Sequence, residues 1–190
     1  MIDYKKIEMY TGEKRFQHIL RVVEAAEWIA KKLDYNIEKA KLAALFHDVG
    51  KIKDKQLYSE KLQQYNIVLD DMMEKSKDLA HGLVSAAIAK EEFGICDQEV
   101  LDAIAVHTIG RKKMTLLDKI VYLADYIEEG RKHESCKEVR QLFKEKGMDE
   151  ALLKSMDYTI SYVVSRGELL HPQTVEARNE LLLEVKGEKR

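Results

Sequence analysis

The chain has 190 residues, 45% of them apolar and 35% charged, with a formal net charge of −2. This length suits a single domain, taken here as residues 1–190. The near balance of acids and bases argues against a DNA or RNA partner, which a clear basic excess would signal. No apolar run approaches the ~20 residues needed to cross a bilayer. The opening stretch, MIDYKKIEMYTGEKRF, lacks the apolar segment of a secretory signal. Cys96 and Cys136 form no CxxC spacing and read as free thiols. A soluble cytoplasmic protein is expected, because unpaired cysteines suit a reducing compartment.

Strand-type alternation never persists, whereas helical periodicity recurs along the chain. Phe16, Ile19, Val23, Ala26 and Ala30 repeat at three- and four-residue steps, predicting a helix from about Glu13 to Leu33. Asn36 can cap a second helix that carries Ala40, Ala43, Ala44 and Phe46 toward His47. From Asp54 to Ser76 the pattern weakens, consistent with short helices and loop. DLAHGLVSAAIAKEEFG predicts a helix stopped by Gly94. Asp97 can cap the next, through Val100, Ile104 and His107. Thr115 to Asp118, TLLD, forms a capping box with Asp in the usual Glu position. It opens a helix through Ile120, Leu123 and Ile127, ending at Gly130. Asp149 starts another, ending at Gly167, and a last amphipathic helix follows Thr174. The expected fold is an all-α bundle of about eight or nine helices.

His47 and Asp48 lie where five apolar residues lead out of a helix, with Gly50 just beyond. In mid-helix, neighbouring side chains point about 100° apart and cannot share a partner. At a helix end both can turn to one point, where a divalent cation would satisfy imidazole and carboxylate together. His18, His47, His81 and His107 all sit within apolar helical text, which is hard to explain as four separate core histidines. Asp125, in YLADYIEEG, lies among apolar neighbours and should face a cation or donors. Glu128 and Glu129 read as a solvated last turn.

The order His18, His47-Asp48 with Lys51, His81, His107 and Asp125 resembles the HD-domain superfamily of metal-dependent phosphohydrolases. RFQH, HTIGRKKMTLLDKIVYLADYIEEGR and HPQTVEARN are similar to the YqeK family, over roughly Arg15 to Asn179. That family splits bis(5′-nucleosyl) tetraphosphates symmetrically into two nucleoside diphosphates. The resemblance implies a metal held by His18, His47, Asp48 and Asp125. The family is associated with iron, while the ligand chemistry alone also accepts Mn, Zn or Ni. His81 and His107 match positions that complete a second metal site in many HD proteins; contact with substrate phosphates is the alternative.

Around these residues, cations are placed to meet phosphate. Arg15 precedes His18 by three residues, on one helix face. Lys51 follows Asp48 by three, and Arg131 follows the helix carrying Asp125. Guanidinium groups grip phosphate oxygens bidentately. Thr108 can donate to a phosphate, while Arg111 to Lys113 read as a solvated loop. Thr174 can cap the final helix. The resemblance implies that His171, Thr174 and Arg178 close over a nucleotide. The expected function is symmetrical hydrolysis of diadenosine tetraphosphate, with Asp48 and Lys51 as catalytic residues and a small-molecule dinucleoside polyphosphate as partner. Another HD-type activity, on nucleoside monophosphates, deoxynucleoside triphosphates or guanosine polyphosphates, is the rival; a non-catalytic nucleotide-binding module is a second. Monomer and homodimer both stay open.

Overall fold

The computed structural model describes residues 2–187, and these are all-α, with ten helices and no strand among them. The helices are α1 (Tyr4–Thr11), α2 (Glu13–Lys32), α3 (Ile37–Phe46), α4 (Lys55–Gln64), α5 (Lys77–Phe93), α6 (Gln98–Val106), α7 (Leu116–Ile127), α8 (Glu134–Lys146), α9 (Met148–Ser165) and α10 (Pro172–Val185). The expected starts hold where a cap is chemically explicit. Asn36 accepts from Lys39 N, Asp97 accepts from Glu99 N and Val100 N, and Thr115 and Asp118 form a reciprocal capping box. Gly94 ends α5 in the left-handed region that a residue without Cβ enters at no steric cost.

Several expectations are corrected. Helices α1 and α8 were not foreseen; both are polar on average, with only two and three buried residues. Helix α7 stops at Ile127 rather than Gly130. Helix α10 begins before Thr174: His171 is its cap, accepting from Gln173 N through Nδ1, and Pro172 occupies the first turn. Thr174 is instead a buried first-turn residue. His107 stands at the C-terminal end of α6 rather than inside it, whereas His47 stands at the end of α3 as expected.

One core runs from Ile7 on α1 to Leu181 on α10. Helix α7 lies at its centre. Leu117, Ile120, Val121, Leu123 and Ala124 are fully buried, and burying each of the first four contributes about 1.5–3 kcal/mol. Helix α2 packs against both α3 and α7, and α5 packs against α6. The second contact is unusually close, since a Cβ on Gly82 would collide with the Ala105 carbonyl. The bare glycine lets the two backbones approach and brings His81, its neighbour, to His107.

Candidate functional site

Three helices deliver four donor groups to one place. His18 comes from the middle of α2, His47 and Asp48 from the end of α3, and Asp125 from α7. His18 Nε2 lies 3.0 Å from Asp125 Oδ1 and 3.6 Å from Asp48 Oδ2. His47 Nε2 lies 3.5 Å from the same Asp48 oxygen and 3.9 Å from Asp125 Oδ1. Gly50 lets the turn after α3 seat against α5: its N–H donates to Ser85 Oγ at 2.8 Å, and there is no room for a Cβ.

Asp48 Oδ1 faces a second pair. His81 Nε2 is 3.0 Å away and His107 Nε2 3.6 Å, and these two nitrogens are 3.0 Å from each other. Thr108 Oγ1 lies 3.2 Å from the first and 3.1 Å from the second. Asp48 therefore stands between His18 and His47 on one side and His81 and His107 on the other.

The outer ring nitrogens explain which atoms face inward. Nδ1 of His47, His81 and His107 each donates to the carbonyl three residues earlier, of Ala44, Asp78 and Ile104. That leaves the Nε2 lone pairs pointing into the cluster. His18 Nε2 and His47 Nε2 are buried without a hydrogen-bond partner, although carboxylate oxygens lie close by. Short nitrogen–oxygen approaches without hydrogen-bond alignment, in a buried imidazole–carboxylate set, fit a shared divalent cation. His18, His47 and Asp125 form one group able to hold an ion, and His47, Asp48 and His107 a second overlapping one.

The electrostatics suit ligands. Burial works against charge on Asp48, yet the adjoining imidazoles of His47, His107 and His81 hold its carboxyl well below the usual range. Asp125 behaves alike: burial is outweighed by Arg131 and His18. Burial pushes His107 down to about 4, keeping its imidazole neutral. For His47 burial is overcome by Asp48, and its pKa rises.

The expected phosphate-binding cations sit at the rim. Arg15 Nη1 is 2.9 Å from Asp48 Oδ2, Lys51 Nζ 3.6 Å from Asp48 Oδ1, and Arg131 Nη2 2.7 Å from Asp125 Oδ1. The Arg15 and Arg131 side chains remain 37% and 38% exposed, so their outer faces are open to an incoming anion. The C-terminal candidates have other immediate partners. His171 Nε2 meets Asp70 at 2.7 Å, and Arg178 Nε donates to Asp157 at 2.7 Å. No hydrogen bond or ion pair joins His171, Thr174 or Arg178 to the histidine cluster among the described residues. The start of α10 does border it, since Gln173 Nε2 donates to Gly110 O, just beyond Thr108.

Two residue readings change. Glu128 is not a solvated residue: it is 2% exposed and takes hydrogen bonds from Arg21 Nε, Gly130 N and His18 Nδ1. Arg111 is not part of a free loop: it bridges buried Asp118 and Asp102 and pins α7 to α6. For Glu128 the local text held no signal, because its partners lie 107 and 110 residues away in sequence.

Residues 15–130 match the HD domain family, so the match includes all the residues of the cluster. The chain is 38% identical over 184 residues to "Bis(5'-nucleosyl)-tetraphosphatase, symmetrical" of Halalkalibacterium halodurans, covering 95% of each chain. It is 32% identical to the protein of the same description in Bacillus subtilis, covering 93% of this chain and 94% of that one. Its fold is similar to a crystal structure from Clostridium acetobutylicum described as an HD superfamily hydrolase involved in NAD metabolism. The TM-score is 0.88 and the identity 39%, covering 97% of this chain and 99% of that chain.

Proposed function

The chain belongs to the HD domain family, and on that premise we propose that it is a metal-dependent hydrolase splitting diadenosine tetraphosphate symmetrically into two ADP. The observation that carries the chemistry is Asp48, buried between two histidine pairs with Arg15 and Lys51 at its rim. Its substrate assignment rests on near full-length relatives described as symmetrical tetraphosphatases.

His18, His47, Asp48 and Asp125 would hold the cation, which when bound supplies Lewis-acid polarisation of phosphoryl oxygen and water. Iron is assigned from the family resemblance, and the imidazole–carboxylate set is chemically compatible with it. His81 and His107 border the same carboxylate, placed either for a second cation or for phosphate oxygens.

The reaction breaks the bridge between the second and third phosphates. The oxygen of water joins one phosphorus, the bridging oxygen leaves with the other diphosphate, and the water proton passes to solvent or to a carboxylate. Asp48 is placed to orient that water or accept its proton. Arg15, Lys51 and Arg131 carry positive charge where the phosphate chain would lie, and charge stabilisation with positioning is most of what phosphoryl transfer demands. Thr108 can donate its hydroxyl to a phosphate oxygen. His171, Thr174 and Arg178 are assigned to the nucleoside end, supported by the position of α10 beside Gly110.

The net charge of −2 supports a small-molecule substrate rather than nucleic acid. No helix among the described residues is long and apolar enough to cross a membrane. The free thiols of Cys96 and Cys136, with a nucleotide substrate, support a cytoplasmic location. The core shared by α1 through α10 supports reading residues 1–190 as one domain.

The decisive test is hydrolysis of diadenosine tetraphosphate by metal-loaded protein in ¹⁸O-water. Two ADP, with label in ADP, is the expected result. AMP and ATP would overturn the symmetrical reading, and no turnover would overturn the substrate.

A further inference from the structure

Four histidines converge on Asp48, but they are not held alike. His47, His81 and His107 each anchor Nδ1 on the carbonyl three residues earlier, at 2.6, 2.8 and 2.7 Å. Those anchors are local: any histidine at the same helical position could make them. His18 has no such anchor. Its Nδ1 lies 3.3 Å from Glu128 Oε1, contributed from the end of α7.

Glu128 is itself fixed from several directions. Arg21, one turn after His18 on α2, donates to Oε2 at 2.6 Å, and Gly130 N donates to the same oxygen. Arg140 of α8 closes the turn behind it, donating to the carbonyls of Ile127, Glu128 and Arg131 at 2.7, 2.6 and 2.7 Å. Arg131, held in that turn, is paired with Asp125. A single turn, residues 127–131, therefore carries the carboxylate that touches His18 and the guanidinium that touches Asp125.

We propose that Glu128 is a positioning residue that acts through His18. It holds the His18 proton on Nδ1, directs the Nε2 lone pair at the metal point, and with Arg21 and Arg140 makes the 127–131 turn the support of the α2–α7 side of the site. An anionic acceptor raises the basicity of the imidazole more than a neutral carbonyl does, so His18 is the ligand whose strength depends on a distant residue. The inference rests on the metal-binding part of the proposed function and not on the substrate.

The test needs no substrate. With ¹⁵N-histidine labelling, His18 in zinc-loaded protein should carry its proton on Nδ1, with that proton shifted downfield by the carboxylate. Zinc affinity is then measured by chelator competition for the wild type, Glu128→Gln and Glu128→Ala. Losses of about 10–100-fold in affinity are expected, the range for removing the outer partner of a metal-ligating histidine. The isosteric Gln variant should lose less, since its amide oxygen still accepts from Nδ1. The ring signals of His81 and His107 should stay in place in both variants. A wild-type His18 protonated on Nε2, or variants that fold and bind zinc within twofold of wild type, would overturn the proposal and leave the tetraphosphatase reading intact. Wild-type protein that binds no zinc would overturn it together with the metal site.

Discussion

Replacing Gly50 by alanine tests whether the turn after α3 is seated as the site requires. Gly50 needs no unusual backbone angle, so the demand for glycine is steric. A Cβ there would lie 2.5 Å from His81 O and 2.6 Å from Ser85 N, both backbone atoms of α5 that cannot rotate away. The turn must lift or α5 must shift. Overpacking of this kind costs about 1–3 kcal/mol. Losing the Gly50 N–H bond to Ser85 Oγ adds about 1 kcal/mol, giving a total of about 2–4 kcal/mol. At roughly 2–4 °C per kcal/mol for a chain of this size, Tm should fall by about 5–15 °C. Urea unfolding of metal-free protein reads the same loss as a lower midpoint with an unchanged slope. Ser85→Ala in the same assay removes only the hydrogen bond, so the difference between the two variants isolates the collision. Lifting the turn also parts Asp48 from His81, now 3.0 Å apart, so activity at a temperature where the variant is folded should drop as well. A Gly50→Ala protein with the wild-type midpoint and wild-type activity would refute the reasoning.

Asp48→Ala should lose bound metal and hydrolysis together while keeping the helical circular dichroism of wild type; full activity of metal-stripped protein in chelator would sink the metal reading. His81→Ala and His107→Ala separate the two roles open to that pair: metal per chain falls if they hold a second ion, whereas unchanged metal with a raised KM assigns them to phosphate, and no change in either makes them core histidines. A different part of the fold governs acid sensitivity. Burial favours neutral Glu92, but Lys61, Tyr65, Lys6 and Tyr10 hold its carboxyl down to about 2. A carboxylate with a lowered folded pKa stabilises fully above its ordinary value, and that stability drains as pH falls toward 2. Urea midpoints taken from pH 6 to pH 2 should therefore decline more steeply in wild type than in Glu92→Gln, by on the order of 2 kcal/mol after allowance for solvent at its rim. Parallel curves would remove Glu92 from the account.

The all-α class was legible because apolar periodicity is a local property, and so were the starts of α3, α6 and α7, whose capping side chains reach only two or three residues ahead. His18, His47, Asp48, His81, His107 and Asp125 could be picked out for a related reason. A polar group inside apolar helical text is costly wherever the chain goes, so it announces a partner before the partner is known. Helices α1 and α8 were not legible, since each has few buried residues and takes its stability from docking rather than from its own pattern. The division of Asp48 between two histidine pairs was also beyond the text, because it depends on α5 approaching α6 at Gly82 and the α3 turn meeting α5 at Gly50. Glu128 marks the limit most clearly. In sequence it is one acid beside another in a polar turn, and it becomes a buried anchor for His18 only when α2 and α7 pack side by side. The sequence alone determines which residues cannot remain unpartnered, through the cost of desolvating them; packing decides which partner each one meets, because that choice is made by backbones far apart along the chain.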